Sequence, residues 1–163
     1  MLGVKIMNKL DLIQDKQFIF GMILVVANRL DTLFEREINP YGMTSKQWFL
    51  SATTASLFEK PPTIKEVAAA MGTSHQNVKQ IALKLEQKGH MKLIKDARDA
   101  RVTRLVLTEQ SKAFWEKLNK RGEEFMNEIF GNLSNEELKV VRSAIQKIWQ
   151  NTLRLDGSYE KEV

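Results

Sequence analysis

The chain has 163 residues, a net charge of +5 and no cysteine. Its 43% hydrophobic and 28% charged residues are typical of a soluble globular protein and argue against intrinsic disorder. A sequence without cysteine excludes disulfide scaffolds, thiol catalysis and cysteine-ligated zinc or iron–sulfur sites. The longest strongly apolar run, 18–27, is too short to cross a membrane. We therefore expect a cytoplasmic protein with no membrane partner, metal or cofactor.

The positive charge is concentrated in one segment. Residues 60–104 contain ten basic and four acidic side chains, which gives this segment a charge of +6. The rest of the chain carries −1. A basic block next to a nearly neutral remainder is the charge pattern expected of a nucleic-acid-binding module.

Four segments fit the pattern of a helix capping box. In this motif a Ser or Thr hydroxyl, and a Glu or Gln three residues later, bond reciprocally to backbone N–H groups of the first turn. The segments are Thr44–Gln47, Thr63–Glu66, Thr73–Gln76 and Ser134–Glu137. Each leads into apolar residues at helical spacing, so the pattern predicts a mainly helical protein.

The first half of the chain contains four predicted helices. A long helix over about 14–38 is apolar on much of its circumference, and a second helix covers about 45–58. Two short amphipathic helices follow, separated by Gly72 and a capping Thr73, and the second ends at Gly89. So short a turn between two short helices predicts a helix-turn-helix.

A change of period after Gly89 predicts a β-hairpin. The β-prone segments 91–95 and 102–107 flank a charged tip, and Thr108 is placed to cap a helix to about 130. A last helix follows Ser134, with one apolar stripe. The stripe consists of Leu138, Val141, Ile145, Ile148 and Trp149. The predicted fold is mainly α with a small β-hairpin wing, a winged helix-turn-helix joined to an all-helical dimerisation region.

The second helix of the helix-turn-helix is the candidate for reading DNA bases. Its outward face contains little acid, with Glu86 as the exception, and such polar and basic side chains suit base edges and phosphates in the major groove. The candidates are Ser74, His75, Gln76, Asn77, Lys79, Gln80 and Lys84. The alternative is an ordinary solvated helix face.

The tip of the wing is the second candidate contact with DNA. Arginine suits the narrow minor groove, and the two aspartates beside these arginines would hold their geometry by pairing with them. The candidates are Lys95, Arg98, Asp99, Arg101 and Arg104, with Asp96 as the other aspartate. The alternative is a solvated turn whose exposed ion pairs contribute little.

These motifs together resemble the winged helix-turn-helix of the MarR family of transcription regulators. The resemblance rests on the wing Asp96-x-Arg98-Asp99-x-Arg101, on Leu107-Thr108-Glu109, on 62–68 and 84–89, and on the opening of the second helix at 43–48. It implies that Arg101 enters the minor groove, that Asp99 orients it, and that 74–84 reads bases. Ala100 departs from the family, in which a second basic residue is common there.

The resemblance also implies an assembly and a division of the chain. It implies a single domain over 1–163, with dimerisation helices in 10–42 and 108–156, the winged helix-turn-helix in 44–107 and a tail in 157–163. The expected partners are double-stranded DNA, read as a palindrome, and a second copy of the chain. The residues give a separate argument for a homodimer, because the long helices have more apolar surface than one small module can cover.

The resemblance further implies a transcriptional repressor that a small lipophilic or phenolic ligand controls. The aromatic candidates for a ligand pocket are Phe20, Trp48, Phe49 and Phe114. The alternative for each is ordinary core packing.

Two other functional classes remain open on the sequence. The chain contains no glycine-rich phosphate loop, no nucleophile elbow and no metal-ligand spacing, so no catalytic residue is assigned and an enzyme is the less favoured reading. A winged-helix module that binds protein is the other alternative, against which the basic block and the wing arginines argue.

Overall fold

The computed structural model describes residues 13–159, which form six α-helices and one antiparallel two-stranded sheet. The helices are α1 (Asp15–Ile38), α2 (Ser45–Ser56), α3 (Ile64–Met71), α4 (His75–Gln87), α5 (Glu109–Phe130) and α6 (Asn135–Tyr159). The strands are β1 (Met91–Lys95) and β2 (Thr103–Leu107). The predicted fold class is confirmed. Helix α6 extends three residues into the predicted tail 157–163; residues 10–12 and 160–163 of the predicted segments lie outside the described residues.

The chain divides after Lys112 into two compact units, and α5 runs through the boundary. The first unit contains α1 to α4 and the hairpin, and its core is formed by apolar side chains from every one of these elements. The core residues are Ile38, Met43, Leu50, Val67, Ala68, Val78, Ile81, Ala82, Leu85, Met91 and Leu105. The second unit contains the rest of α5 and α6.

Three of the four predicted capping boxes are present. In each of them the cap hydroxyl accepts a bond from the third helical N–H, and the cap N–H donates to the Glu or Gln side chain. The cap residues are Thr44, Thr63 and Ser134. These bonds lower the pKa values of two of the reciprocal carboxyl groups, chiefly through the N–H of Thr63 for Glu66 and of Ser134 for Glu137.

The fourth predicted box, Thr73–Gln76, is wrong. Ser74 is the cap of α4, and its hydroxyl accepts from Asn77 N at 3.2 Å. The Thr73 N–H still bonds to the Ala68 carbonyl at 3.0 Å, and Gly72 is left-handed with φ of 61°. Because this Schellman closure assigns Thr73 to the end of α3, α4 begins one residue later.

Helix α1 is bonded to the start of α2 by two carboxylates. Glu35 Oε2 accepts from Ser45 N at 2.5 Å, and Asp31 Oδ1 accepts from Ser45 Oγ at 2.6 Å. Negative charge at a helix N-terminus is favourable, because the first N–H groups have no intrahelical partner and the dipole is positive there. These contacts hold α1 against the first turn of α2.

Helices α1 and α6 each leave an apolar face exposed. On α1 the exposed side chains are Ile19, Phe20, Leu24, Val25, Val26 and Leu33. On α6 they are Val140, Val141, Ile145, Ile148, Trp149, Leu153 and Leu155. The last four members of the predicted α6 stripe are thus exposed in the single chain. Faces of this extent are typical of an interface.

The apolar run 18–27, too short by itself to cross a membrane, lies within a longer helical span. The helical span Asp15–Tyr41 contains an 18-residue window with mean hydropathy 1.4, enough by length and composition to cross a membrane. A single helix of this kind is weak evidence for a membrane protein, because a helix buried in a protein interface satisfies the same criterion.

Candidate nucleic-acid interface

Helix α4 presents one apolar face to the core and one polar face to solvent. Val78, Ala82 and Leu85 are fully buried and Ile81 is nearly so, as the spacing predicts. The predicted base-reading side chains are exposed, except Asn77, which is half-buried. They are Ser74, His75, Gln76, Lys79, Gln80 and Lys84. The structure therefore brings all seven candidates together on one helix and its cap.

The first turn of α4 uses one of these candidates internally. Asn77 Nδ2 donates to Thr73 Oγ1 at 2.9 Å, so this side chain is oriented by the turn that precedes the helix. Gln76, one position earlier, is exposed. The two neighbouring amides thus lie in different environments, although the sequence pattern gives no reason to distinguish them.

The wing is a regular hairpin with an ordered tip. Leu93 pairs with Leu105 and Lys95 with Thr103, and the Asp96 carboxylate accepts from the backbone N–H groups of Arg98 at 2.8 Å and Asp99 at 3.2 Å. The Arg98 N–H, the Arg104 guanidinium and the Asp99 N–H together hold the pKa of Asp96 at about 2. Asp96 therefore stays ionised and shapes the tip at any physiological pH.

Asp99 and Arg101 form a bidentate pair at the tip. The guanidinium donates from Nε to Oδ1 at 3.1 Å and from Nη2 to Oδ2 at 3.0 Å, and the Arg101 N–H also donates to Oδ1 at 3.0 Å. The Arg101 side chain is 92% exposed. The pair lowers the pKa of Asp99 and raises that of Arg101. The geometry is the one expected of a carboxylate that orients an arginine for an external contact.

Arg104 differs from the other basic residues of the wing. Its Nε donates to Asp96, and its Nη1 donates to the Pro61 carbonyl at 2.7 Å. The main chains of Thr63 and Arg104 also form an isolated antiparallel β-bridge. The guanidinium therefore fastens the hairpin to the segment before α3, a role that the sequence did not predict. Lys95 and Arg98 are exposed.

Lys88 is another residue whose role the sequence did not predict. Its ammonium donates to the Gly42 carbonyl at 2.5 Å and to Gln47 Oε1 at 2.9 Å. Gln47 is the reciprocal residue of the α2 capping box, so Lys88 joins the end of α4 to the start of α2. No local motif indicates a contact between residues 46 positions apart in the chain.

Three of the four aromatic ligand candidates belong to the first unit, and the fourth belongs to the second. Phe20 and Phe49 are exposed, and Trp48 packs edge-on against Phe34 with ring centroids 4.6 Å apart. Phe114 belongs to the second unit, where it packs against Trp115.

A separate polar cleft of about 420 Å³ lies in the first unit. It is lined by Asp31, Glu35, Thr44, Ser45, Lys46, Gln47, Asn77, Gln80, Ile81 and Lys84. Among residues 13–159, no three acidic or histidine side chains cluster in a way that could hold a metal ion.

The architecture agrees with that of solved winged-helix regulators. A MarR transcriptional regulator from Methanosarcina mazei Go1 matches 85% of this chain and 99% of its own, with a TM-score of 0.73 and 20% identity. A MarR/EmrR family regulator from Acinetobacter sp. ADP1 matches 86% and 98%, also with a TM-score of 0.73, at 16% identity. The chain has the MarR fold. The resemblance drawn from the wing and the helix motifs is confirmed for the fold.

The curated relatives that match this chain have low sequence identity to it. The transcriptional activatory protein BadR of Rhodopseudomonas palustris is 25% identical over 140 residues, which cover 85% of this chain and 80% of BadR. No family model matches the sequence. The MarR fold of this chain is thus established by architecture, with identities to the solved structures named above of 20% or less.

Proposed function

We propose that this chain is a transcription regulator that binds palindromic double-stranded DNA as a homodimer. One observation carries the proposal: α4 exposes a face of polar and basic side chains, and the adjacent wing ends in an arginine held by a bidentate carboxylate. An exposed helix of this composition fits the major groove, and a pre-oriented arginine fits the minor groove. The name of the BadR relative, a transcriptional activatory protein, supports the same class.

The homodimer is supported by the apolar faces that α1 and α6 leave exposed. Val141 and Ile145 on α6 are close to half exposed, as are Leu24 and Val25 on α1. A second copy would cover these faces and place two recognition helices about 34 Å apart, one turn of DNA. A regulator of this kind must reach DNA inside the cell, and the cytoplasm is the location we propose.

Selection of bound fragments from random DNA at fixed salt tests this proposal. We expect enrichment of an inverted repeat whose half-site centres are about 10 base pairs apart. The affinity for the enriched site should fall steeply with salt, because lysines and arginines that neutralise phosphates release counterions. A flat salt response and no enriched sequence would contradict DNA binding and favour a protein-binding winged helix.

Repression is the regulatory mode we propose, because a dimer bound across a promoter excludes polymerase. In vitro transcription from a promoter that contains the selected site measures the direction. Less transcript as protein is added supports repression, whereas more transcript would make the chain an activator, as BadR is named.

Control by a lipophilic or phenolic ligand is the remaining part of the proposal. The support is aromatic surface: Phe20 and Phe49 are exposed, and Trp48 is half-buried. Titration with phenol should quench tryptophan fluorescence and release the selected DNA, and Trp48→Phe should remove the quenching that arises at this site. Unchanged fluorescence and DNA affinity would contradict a phenolic ligand.

A further inference from the structure

Glu86 is the acidic side chain that interrupts the otherwise basic and polar outer surface of α4. Its side chain is exposed, and its Oε1 accepts a hydrogen bond from the backbone N–H of Leu93 at 2.9 Å. Leu93 is the central residue of β1, the first strand of the wing. Glu86 thus links the recognition helix directly to the wing.

The contact falls at a rung of the hairpin that is bonded from both sides. Leu93 and Leu105 are register partners. The N–H of Leu93 points outward to Glu86, and the N–H of Leu105 points outward to the Pro62 carbonyl at 2.8 Å. In an antiparallel ladder such a pair is non-hydrogen-bonded, so its outward amides require partners elsewhere.

The two outer partners differ in what a mutation can remove. On the β2 side the partner is the main chain of Pro62, which stays whatever the side chain is. On the β1 side it is the carboxylate of Glu86, which a substitution deletes. The turn after α4, in which His90 N donates to the Leu85 carbonyl at 2.9 Å, ends where β1 begins at Met91. Glu86 therefore adds a side-chain constraint beyond the turn.

The distance from this rung to the DNA-contacting tip amplifies any change in it. The last hairpin pair, Lys95 and Thr103, lies two residues further on, about 7 Å along the strand. Arg98 and Arg101 lie beyond that pair. A small rotation of β1 relative to α4 therefore moves the arginines by more than it moves Leu93.

We propose that Glu86 is a positioning residue that sets the wing relative to the recognition helix, and so determines which spacing of major-groove and minor-groove contacts the protein accepts. The inference rests on the proposed DNA-binding function. A carboxylate on this surface repels phosphate, so its electrostatic effect on affinity is unfavourable. Its structural effect on discrimination between sequences is favourable, and the two effects can be separated.

Three variants of the full-length chain separate them. Glu86→Gln removes the charge and keeps an oxygen that accepts the Leu93 N–H, whereas Glu86→Ala removes both. Glu123→Ala removes an exposed acidic side chain from α5 and is the matched control for net charge. For each variant, affinities for the selected operator and for a scrambled duplex are measured at one salt concentration, together with the hydrogen-exchange rate of the Leu93 amide.

The expected results differ for the three variants. Glu86→Gln should bind both duplexes more tightly and keep the operator-to-scrambled ratio and a protected Leu93 amide. Glu86→Ala should reduce the ratio about tenfold, a change within the free energy of one hydrogen bond to a charged acceptor, and should expose the amide to exchange. Glu123→Ala should change neither quantity.

The outcomes that contradict the inference are distinct from those that contradict DNA binding. If the unmodified protein discriminates and Glu86→Ala discriminates equally, Glu86 has no positioning role, while DNA recognition stands. If Glu86→Gln loses discrimination as Glu86→Ala does, charge rather than the hydrogen bond is responsible, and the inference is wrong. If the unmodified protein shows no preference for any sequence, the proposed function fails and the inference fails with it.

Discussion

Asn77 donates its side-chain amide to the hydroxyl of Thr73 at 2.9 Å, across the turn that joins α3 to α4. This bond commits one end of the Asn77 amide to the protein, while the neighbouring Gln76 is exposed. The two amides would have the same chemistry toward adenine, but the structure gives Asn77 a second role at the helix start.

We therefore expect Gln76 and Asn77 to respond differently to substitution. Gln76→Ala should change the preferred base at one operator position and leave the melting temperature unchanged, because its side chain is exposed. Asn77→Ala should also lower stability, by about 0.5–1.5 kcal/mol for one lost hydrogen bond. Selection from random DNA and urea unfolding measure the two effects. Thr73→Val, which deletes the Asn77 partner alone, should reproduce only the loss of stability. Equal weakening toward every sequence in Gln76→Ala would make Gln76 a phosphate contact.

Arg101 should contribute to DNA affinity and not to folding. With its side chain 92% exposed, Arg101→Ala removes no core contact, and operator binding should fall about tenfold to a hundredfold. Asp99→Asn keeps the shape of the side chain but loses the charged bidentate pair, so we expect a smaller fall. Filter binding and circular dichroism measure affinity and fold. Operator affinity that is unchanged in Arg101→Ala would show that the wing does not contact DNA.

His90 should make stability depend on pH. The residue is 8% exposed, and burial, with the nearby Lys88 charge, lowers the pKa of its side chain from the ordinary value of 6.5. The unfolded chain therefore binds a proton more readily than the folded one. The contribution of His90 to the free energy of unfolding should be fully present above about pH 6.5. It should be lost as the pH falls from there through the folded-state pKa.

Urea unfolding at pH 7.5 and 5.5 measures this dependence. His90→Gln should reduce the difference between the two pH values, whereas His75→Gln, at an exposed position, should leave it unchanged. The chain has two histidines, so His75 serves as the matched control. An identical pH dependence in His90→Gln and the unmodified protein would assign the effect to other groups.

Lys88 should stabilise the contact between the end of α4 and the start of α2. Lys88→Met keeps most of the aliphatic chain and deletes the bonds to Gly42 and Gln47, so the unfolding free energy should fall by about 1 kcal/mol. Lys65→Met, at an exposed position of α3, is the control and should have little effect. Equal stabilities of the two variants would show that the ammonium contributes nothing beyond solvation.

The apolar face of α6 should hold the dimer together. Val141→Asp would bury a carboxylate in the proposed interface, at a cost of several kcal/mol, and should shift the protein to monomer. Val140→Asp, 100° around the helix at the edge of the exposed face and outside the stripe that contains Val141, should weaken the dimer less. Sedimentation equilibrium measures the association constant. A monomer in the unmodified protein would contradict the homodimer.

The sequence was sufficient to predict the helices, the wing and most helix starts, because local interactions determine these features. Apolar spacing identified the buried face of α4, and the Thr44, Thr63 and Ser134 boxes combine a cap and its partner within four residues. The Thr73 box failed for a related reason: the same residue also completes the Schellman closure of α3, and only the structure shows which bond forms.

The remaining features depend on contacts between residues far apart in the chain. The sequence located the basic block at 60–104, but the structure divides its charges into exposed side chains, such as Arg98 and Arg101, and side chains bonded to distant backbone carbonyls, such as Lys88 and Arg104. A charged side chain has the same local pattern in both roles. Which role it takes depends on whether the fold brings an acceptor, the Gly42 or the Pro61 carbonyl, within hydrogen-bond distance, and tertiary packing alone decides that.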